Sequence, residues 1–356
     1  MSTHRFHTAV LGSLAIVLLL FSPPLAHAQE NILPLNVTVS PATLQMNTNP
    51  GEPVTATIRI LNNNPEPETL RVRTTGFGAD PSGEKPVLFE FDSAEHPEKE
   101  WLQVSPAEIT VEPFTWATVD LTFTPGEHAA FSYYYSVMFE RTRTITSTET
   151  SPVVGIPAVL ILTTVQSENM VREAELVDFQ SNKSFYEFLP AEFTVAVKNT
   201  GNVHVAPIGN IFIHQGNRKN IASLKVNTTR GFILPESTRT FTTAWEHGFP
   251  AFRPVLNKDG SVQKNSDGTT KYKLQWDPGF STDFHIGKYT ANLVLIYDNG
   301  QRDIPLEQQI SFWVIPWKLL LVAVVVLGLL LVGLATPIIA LKKRVFGNQR
   351  TTKKSS

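Results

Sequence analysis

The chain has 356 residues, with 30 Lys and Arg against 32 Asp and Glu, a formal charge of −2, and no cysteine. The lack of cysteine excludes thiol catalysis, thiolate metal sites, disulfide staples and a lipid anchor built on cysteine. One basic residue lies in the first 28 positions and six lie beyond position 341, so the stretch between holds 23 bases against all 32 acids, a formal −9; that balance argues against nucleic acid and against docking on anionic polymers by charge.

Residues 1–28 read as an export signal. A short basic start (His4, Arg5, His7) precedes an uncharged apolar run from Ala9 to Phe21, Pro23 and Pro24 break any helix, and Ala26-His27-Ala28 gives the small-x-small cleavage pattern. The run is too short to cross a hydrocarbon core of about 30 Å, so the mature chain is expected to start near Gln29. The style is bacterial, which leaves the sequons at Asn36, Asn182 and Asn227 little weight.

From 29 to 168 the pattern is short strands separated by turns. Val54, Ala56, Ile58 and Ile60 alternate with polar residues, and Leu70-Arg71-Val72-Arg73-Thr74 follows an asparagine-rich turn. A Gly/Pro/acid-rich connection from Gly76 to Glu100 holds one small strand, Val87 to Phe91. Val119, Leu121 and Phe123 share a face. Tyr133 and Tyr135 point opposite to Tyr134, and after a polar hairpin tip from Arg141 to Ser151 comes the apolar strand Val159 to Val165. Period-two alternation with proline turns every 8–12 residues or so predicts a β-sandwich.

Residues 169–314 repeat the style. Glu192 to Lys198 alternates and ends in Asn199-Thr200-Gly201-Asn202; short strands are expected at Val203 to Pro207 and Asn210 to His214, with Ile221 to Val226 pairing back. Gly287 to Tyr297 joins Ile304 to Val314 through an Asn-Gly hairpin. Both halves place an early strand before an asparagine-rich turn and a later strand after a proline (Val111-Glu112-Pro113 and Ile233-Leu234-Pro235), which fits two copies of one fold or the general grammar of sandwiches. The expected fold is all-β: two tandem immunoglobulin-like β-sandwiches followed by one transmembrane helix.

Residues 317–341 form that helix. Leu319 to Leu341 is uncharged over 23 residues, Trp313 and Trp317 suit a water–lipid interface, and Lys342-Lys343-Arg344 opens a basic tail, 342–356. The positive-inside rule puts this tail in the cytoplasm and everything before Trp317 outside, so the lipid bilayer is one expected partner.

No catalytic, cofactor or metal site emerges. The histidines form no helical pair, although His204 and His214 lie on neighbouring strand segments; there is no Gly-x-Ser-x-Gly elbow and no phosphate loop. The tetrads Asn257-Lys258-Asp259-Gly260 and Asn265-Ser266-Asp267-Gly268 read as hairpin turns, since the ligand ladder of a calcium loop is absent. The contact surface chosen is the insertion 246–284, with Phe249, Phe252, Trp276 and Phe280 among prolines and glycines.

Two resemblances follow. Val39-Ser40-Pro41, Ile60-Leu61-Asn62-Asn63 and Trp101 to Pro113 resemble the first domain of bacterial WxL-interacting surface proteins, and Val197 to His204 with Gly287-Lys288-Tyr289 resembles their membrane-proximal domain. The first half also resembles, more distantly, the immunoglobulin-like domain of pilus-assembly chaperones. The first resemblance implies a non-enzymatic surface protein that binds a cell-wall polymer (peptidoglycan) or a surface protein; the second implies a membrane-tethered assembly chaperone with an exposed apolar edge strand, against which Pro41 and Pro113 count. An accessory subunit of a membrane complex, or an enzyme whose residues converge only in the fold, completes the alternatives.

Overall fold

The computed structural model describes residues 33–346 except 81–84, 92–95, 143–154, 278 and 280–282. The export signal, the hairpin tip beyond Thr142, Phe280 and the tail after Phe346 lie outside the described residues.

The strands in chain order are β1 (Val37–Ser40), β2 (Thr43–Thr48), β3 (Val54–Asn62), β4 (Glu68–Ala79), β5 (Pro86–Phe89), β6 (Leu102–Ser105), β7 (Glu108–Val111), β8 (Trp116–Phe123), β9 (Phe131–Arg141) and β10 (Ala158–Val165). They form two sheets, ordered β1-β3-β8-β6 and β2-β10-β9-β4-β5, with β7 also on β4. The period-two residues fill the space between them: Ile58, Ile60, Val119, Leu121, Phe123, Tyr135, Val137, Phe139, Val159 and Ile161 are all fully buried in one cluster. A short 3-10 turn, Pro97–Trp101, leads into β6, because Pro97 at its start presets a helical φ.

The second sandwich contains β11 (Ala174–Ser181), β12 (Phe185–Tyr186), β13 (Ala191–Asn199), β14 (Ile208–Gln215), β15 (Arg218–Val226), β16 (Thr238–Trp245), β17 (Ala251–Pro254), β18 (Tyr272–Gln275), β19 (Gly287–Asp298) and β20 (Asp303–Val314). Its sheets are β11-β13-β16 and β12-β20-β19-β14-β15, with a separate β17-β18 pair. The stretch Val203 to Pro207, expected as a strand, reduces to one bridge between Val205 and Ile233, since Pro207 cannot donate to a ladder.

The two sandwiches repeat one topology. The first strand pairs antiparallel with the third (β1 with β3, β11 with β13), and the second runs parallel to the last (β2 with β10, β12 with β20). The pairings β3-β8 and β10-β9-β4-β5 recur as β13-β16 and β20-β19-β14-β15.

Helix α1 (Trp317–Phe346) follows β20 after Ile315 and Pro316. Its stretch Trp317–Ile339 has a mean hydropathy of 3.0, and none of its apolar window is buried. Both apolar clusters close within residues 46–314. The sandwiches therefore need nothing from the helix in order to fold.

Candidate functional site: two exposed features of the first sandwich

The repeat makes equivalent positions comparable. At the end of β3, Asn62 is buried; its Nδ2 donates to the carbonyls of Glu66 (2.7 Å) and Val111 (3.0 Å), and its Oδ1 accepts from the Asn64 amide (2.8 Å). Its backbone pairs with Phe114 and Thr115. At the end of β13, Asn199 does the same: Nδ2 donates to Val203 (2.8 Å) and Ile233 (2.9 Å), Oδ1 accepts from Gly201 (2.9 Å), and the backbone pairs with Glu236 and Ser237. Each asparagine fastens two turns to the end of its strand, where the ladder with the preceding strand (Val37 opposite Asn62, Ala174 opposite Asn199) finishes.

The corner residue sits in left-handed backbone in both copies, Phe114 at φ 55° and Glu236 at φ 58°. A β-carbon there costs about 1 kcal/mol. The second copy places a solvated glutamate at this point, whereas the first presents a phenyl ring that is 68% exposed, beside Trp116, whose ring carries Arg59 at 4.6 Å. The fold asks only for the backbone turn, so the aromatic pair is not explained by folding.

The edge strand β5 differs from its counterpart as well. In the second copy β15 carries Arg218, Lys219 and Lys225, charges that discourage a further strand from adding. In the first copy β5 reads Pro-Val-Leu-Phe, and all four residues are exposed, Val87 by 48% and Leu88 by 44%. Phe89 covers Gly76, where a β-carbon would overlap its ring. Among the described residues nothing pairs with the outer edge of β5. The strand expected at Val87 to Phe91 is thus present but ends at Phe89, and its only mark in the sequence is a short uncharged run in a charged connection.

Lys85 and Pro86, where β5 begins, also line a cleft of about 380 Å³ between the sandwiches. Its floor includes Phe77, Leu160, Leu162 and Phe232, and its rim has Arg230 and Arg239. Nearby, His204 from the second sandwich inserts against the first. Its ring lies 3.4 Å from Gln45 Nε2 and 3.3 Å from Ser132 Oγ, edge-on to Tyr134 and Phe232. Burial first, and the charge of Arg172 second, push its pKa down to about 4. His214 is elsewhere, accepting from the Asn220 amide (2.9 Å).

The insertion folds as a small β-structure of its own. Phe249 packs edge-on to Trp276 at 5.8 Å, and Phe252 packs on Phe188 at 6.1 Å. Phe249 and Phe252 are half-buried and Trp276 is 54% exposed, so only Trp276 of the three presents its ring freely. The two Asn-x-Asp-Gly turns are near-identical: Asp259 Oδ1 accepts from Ser261, and Asp267 Oδ1 from Thr269, through amide (2.9 Å) and hydroxyl (2.6 Å) alike. Those hydrogen bonds hold both carboxyls below the usual range. No group of three or more metal-ligating side chains converges among the described residues.

No family model matches the chain, and no curated protein does. Solved structures similar to it include the class 5 fimbriae chaperone CfaA (17% identity, 68% of this chain and 100% of that one, TM-score 0.35), the chaperone–tip adhesin complex of CFA/I fimbriae biogenesis (18%, 64% and 97%, 0.34) and the E. coli chaperone DraB (10%, 78% and 99%, 0.32). These likenesses concern the fold alone. They agree with the pilus-chaperone resemblance, and nothing among them supports the WxL-interacting one.

Proposed function

We propose that this is a non-enzymatic binding protein, anchored by α1 in a membrane with its sandwiches outside the cytoplasm, which holds a partner polypeptide by strand addition to β5. The observation that carries this reading is the uncharged, exposed edge of β5, where the second copy has a charged one. Main-chain hydrogen bonds along such an edge give affinity, and alternate side chains give selectivity. A strand added there starts beside the cleft, which offers an apolar floor to its side chains. This is an assembly-chaperone type of activity, with β5 receiving the partner.

Two measurements test it. Extended, alternately apolar peptides should slow hydrogen exchange at the amides of β5, and Val87→Asp with Leu88→Asp should weaken binding about tenfold or more, since a carboxylate must then be desolvated on the edge. Unchanged exchange at β5 with a bound peptide sinks the reading. For the anchor, the full chain is expected to stay with membranes through alkaline carbonate extraction, and a chain ending at Pro316 to be released.

A second reading, retention on a cell-wall polymer, is favoured by Phe114 and Trp116, because a sugar ring stacks on an exposed indole with polar neighbours at hand. Sedimentation with insoluble cell wall should then retain the first sandwich at high salt, and Phe114→Ser with Trp116→Ser should reduce retention about tenfold. Equal retention of that variant removes this reading.

A further inference from the structure

The order of the copies fixes what each end of a sandwich meets. In the first, the end where β8 passes to β9 is covered by the second sandwich, whose His204 reaches Ser132 and Tyr134 there. In the second, the equivalent passage from β16 to β19 has grown into the insertion, and this end lies at the helix. Gly287 pairs with Val314, Phe185 with Trp313, and the Phe249 amide donates to the Asp283 carbonyl (2.9 Å). Only Ile315 and Pro316 separate Val314 from α1, and Lys318 Nζ binds Glu187 Oε2 (2.8 Å). At about 3.5 Å per residue this end stays within roughly 10 Å of the start of the helix.

The large apolar side chains exposed there are Phe185 (43%), Trp276 (54%), Phe284 (46%), Ile286 (40%), Trp313 (45%) and Trp317 (49%). Trp313 and Trp317 alone are the usual interfacial flank of a span. Trp276, Phe284 and Phe185 belong to other segments, and neither the fold nor a spanning helix requires them to be bare. We infer that this end of the second sandwich, including Trp276 of the insertion, rests in the headgroup layer of the bilayer, so that the ectodomain stands at a fixed attitude instead of swinging on its two-residue link. The occupant is lipid rather than protein because Phe185 lies beside Trp313, with only Ile315 and Pro316 between Val314 and the helix, and a headgroup layer of about 5–8 Å lies within the tether's reach. Indole and phenyl rings, rather than charge, would supply the affinity. The inference rests on reading α1 as a membrane span.

The test uses residues 29–316, which contain both cores, in flotation with phosphatidylcholine vesicles. The protein should float with the vesicles equally at low and high salt. Trp276→Ser with Phe284→Ser should weaken this about tenfold or more, since two half-exposed apolar anchors are lost, whereas Val177→Ser, an exposed apolar site on β11, should not. Failure to float, or equal flotation of the double variant, overturns the inference. A full chain that resists carbonate while the ectodomain does not float refutes the surface contact and leaves the anchor standing.

Discussion

Asn199→Ala will destabilise the protein by about 3–5 kcal/mol, and Asn62→Ala by a similar amount, as measured by urea unfolding. Each substitution removes two donor bonds and one acceptor bond at a buried site. The buried carbonyl of Val203, or of Val111, then loses its side-chain partner at about 1–3 kcal/mol, Ile233 keeps only the Val205 amide, and the Asn64 or Gly201 amide loses its side-chain acceptor. Against a typical total of about 5–15 kcal/mol this is severe. Asn199→Asp separates hydrogen bonding from packing: it keeps the shape and the acceptor, loses both donors and buries a charge, so it should cost at least as much as alanine. Asn63 lies next in the chain with its side chain bonded at the surface to Thr38 (3.0 Å), and Asn63→Ala should cost under about 1 kcal/mol. Losses under 1 kcal/mol at Asn62 and Asn199 would show that the corners are held by the ladders alone.

The alternation of apolar residues made the strands legible, because a sheet with one wet face must write its core at every second position. Ile58, Val119 and Phe139 stand where that rule puts them. Tyr134 was legible only as facing away from Tyr133 and Tyr135; that its face is covered by a second sandwich depends on contacts some 70 residues on, with His204. The duplication was visible as shared asparagine turns and prolines. It becomes decisive only as geometry, when Asn62 and Asn199 bond equivalent carbonyls that lie 49 and 34 residues away along the chain. The surfaces were hardest to read. Phe114 and Leu88 look like ordinary members of apolar alternation, and their exposure follows from lying at a corner and on an outer edge, which topology decides. Among the aromatics of the insertion, composition could not tell Trp276, which stays exposed, from Phe249 and Phe252, which pack on neighbours.

Acid will weaken the protein through His204, by about 3 kcal/mol between pH 6.5 and 4. In the unfolded chain the imidazole titrates near 6.5; folded, burial and Arg172 push it down to about 4. The folded state therefore binds fewer protons across this interval, so stability rises with pH there. The contribution is complete above pH 6.5, falls as pH drops towards 4, and is gone below it. The geometry names the neutral form: Gln45 Nε2 donates to Nε2 of the ring, leaving Nδ1–H to face Ser132. Protonation would set an N–H against the Gln45 amide and place a cation between Tyr134 and Phe232 with Arg172 as the nearby charge. His285, also lowered by burial, contributes with the same sign. The measurement is thus a difference: stability against pH for the wild type and for His204→Gln, whose amide can meet the same partners without titrating. The two curves should differ in slope by up to one proton between pH 6.5 and 4 and run parallel above 7. Parallel curves throughout would mean that the junction lets water reach His204. A slope difference with both cores intact would place the acid-sensitive contact between the sandwiches, so that mild acid loosens the cleft beside β5 before it unfolds either core.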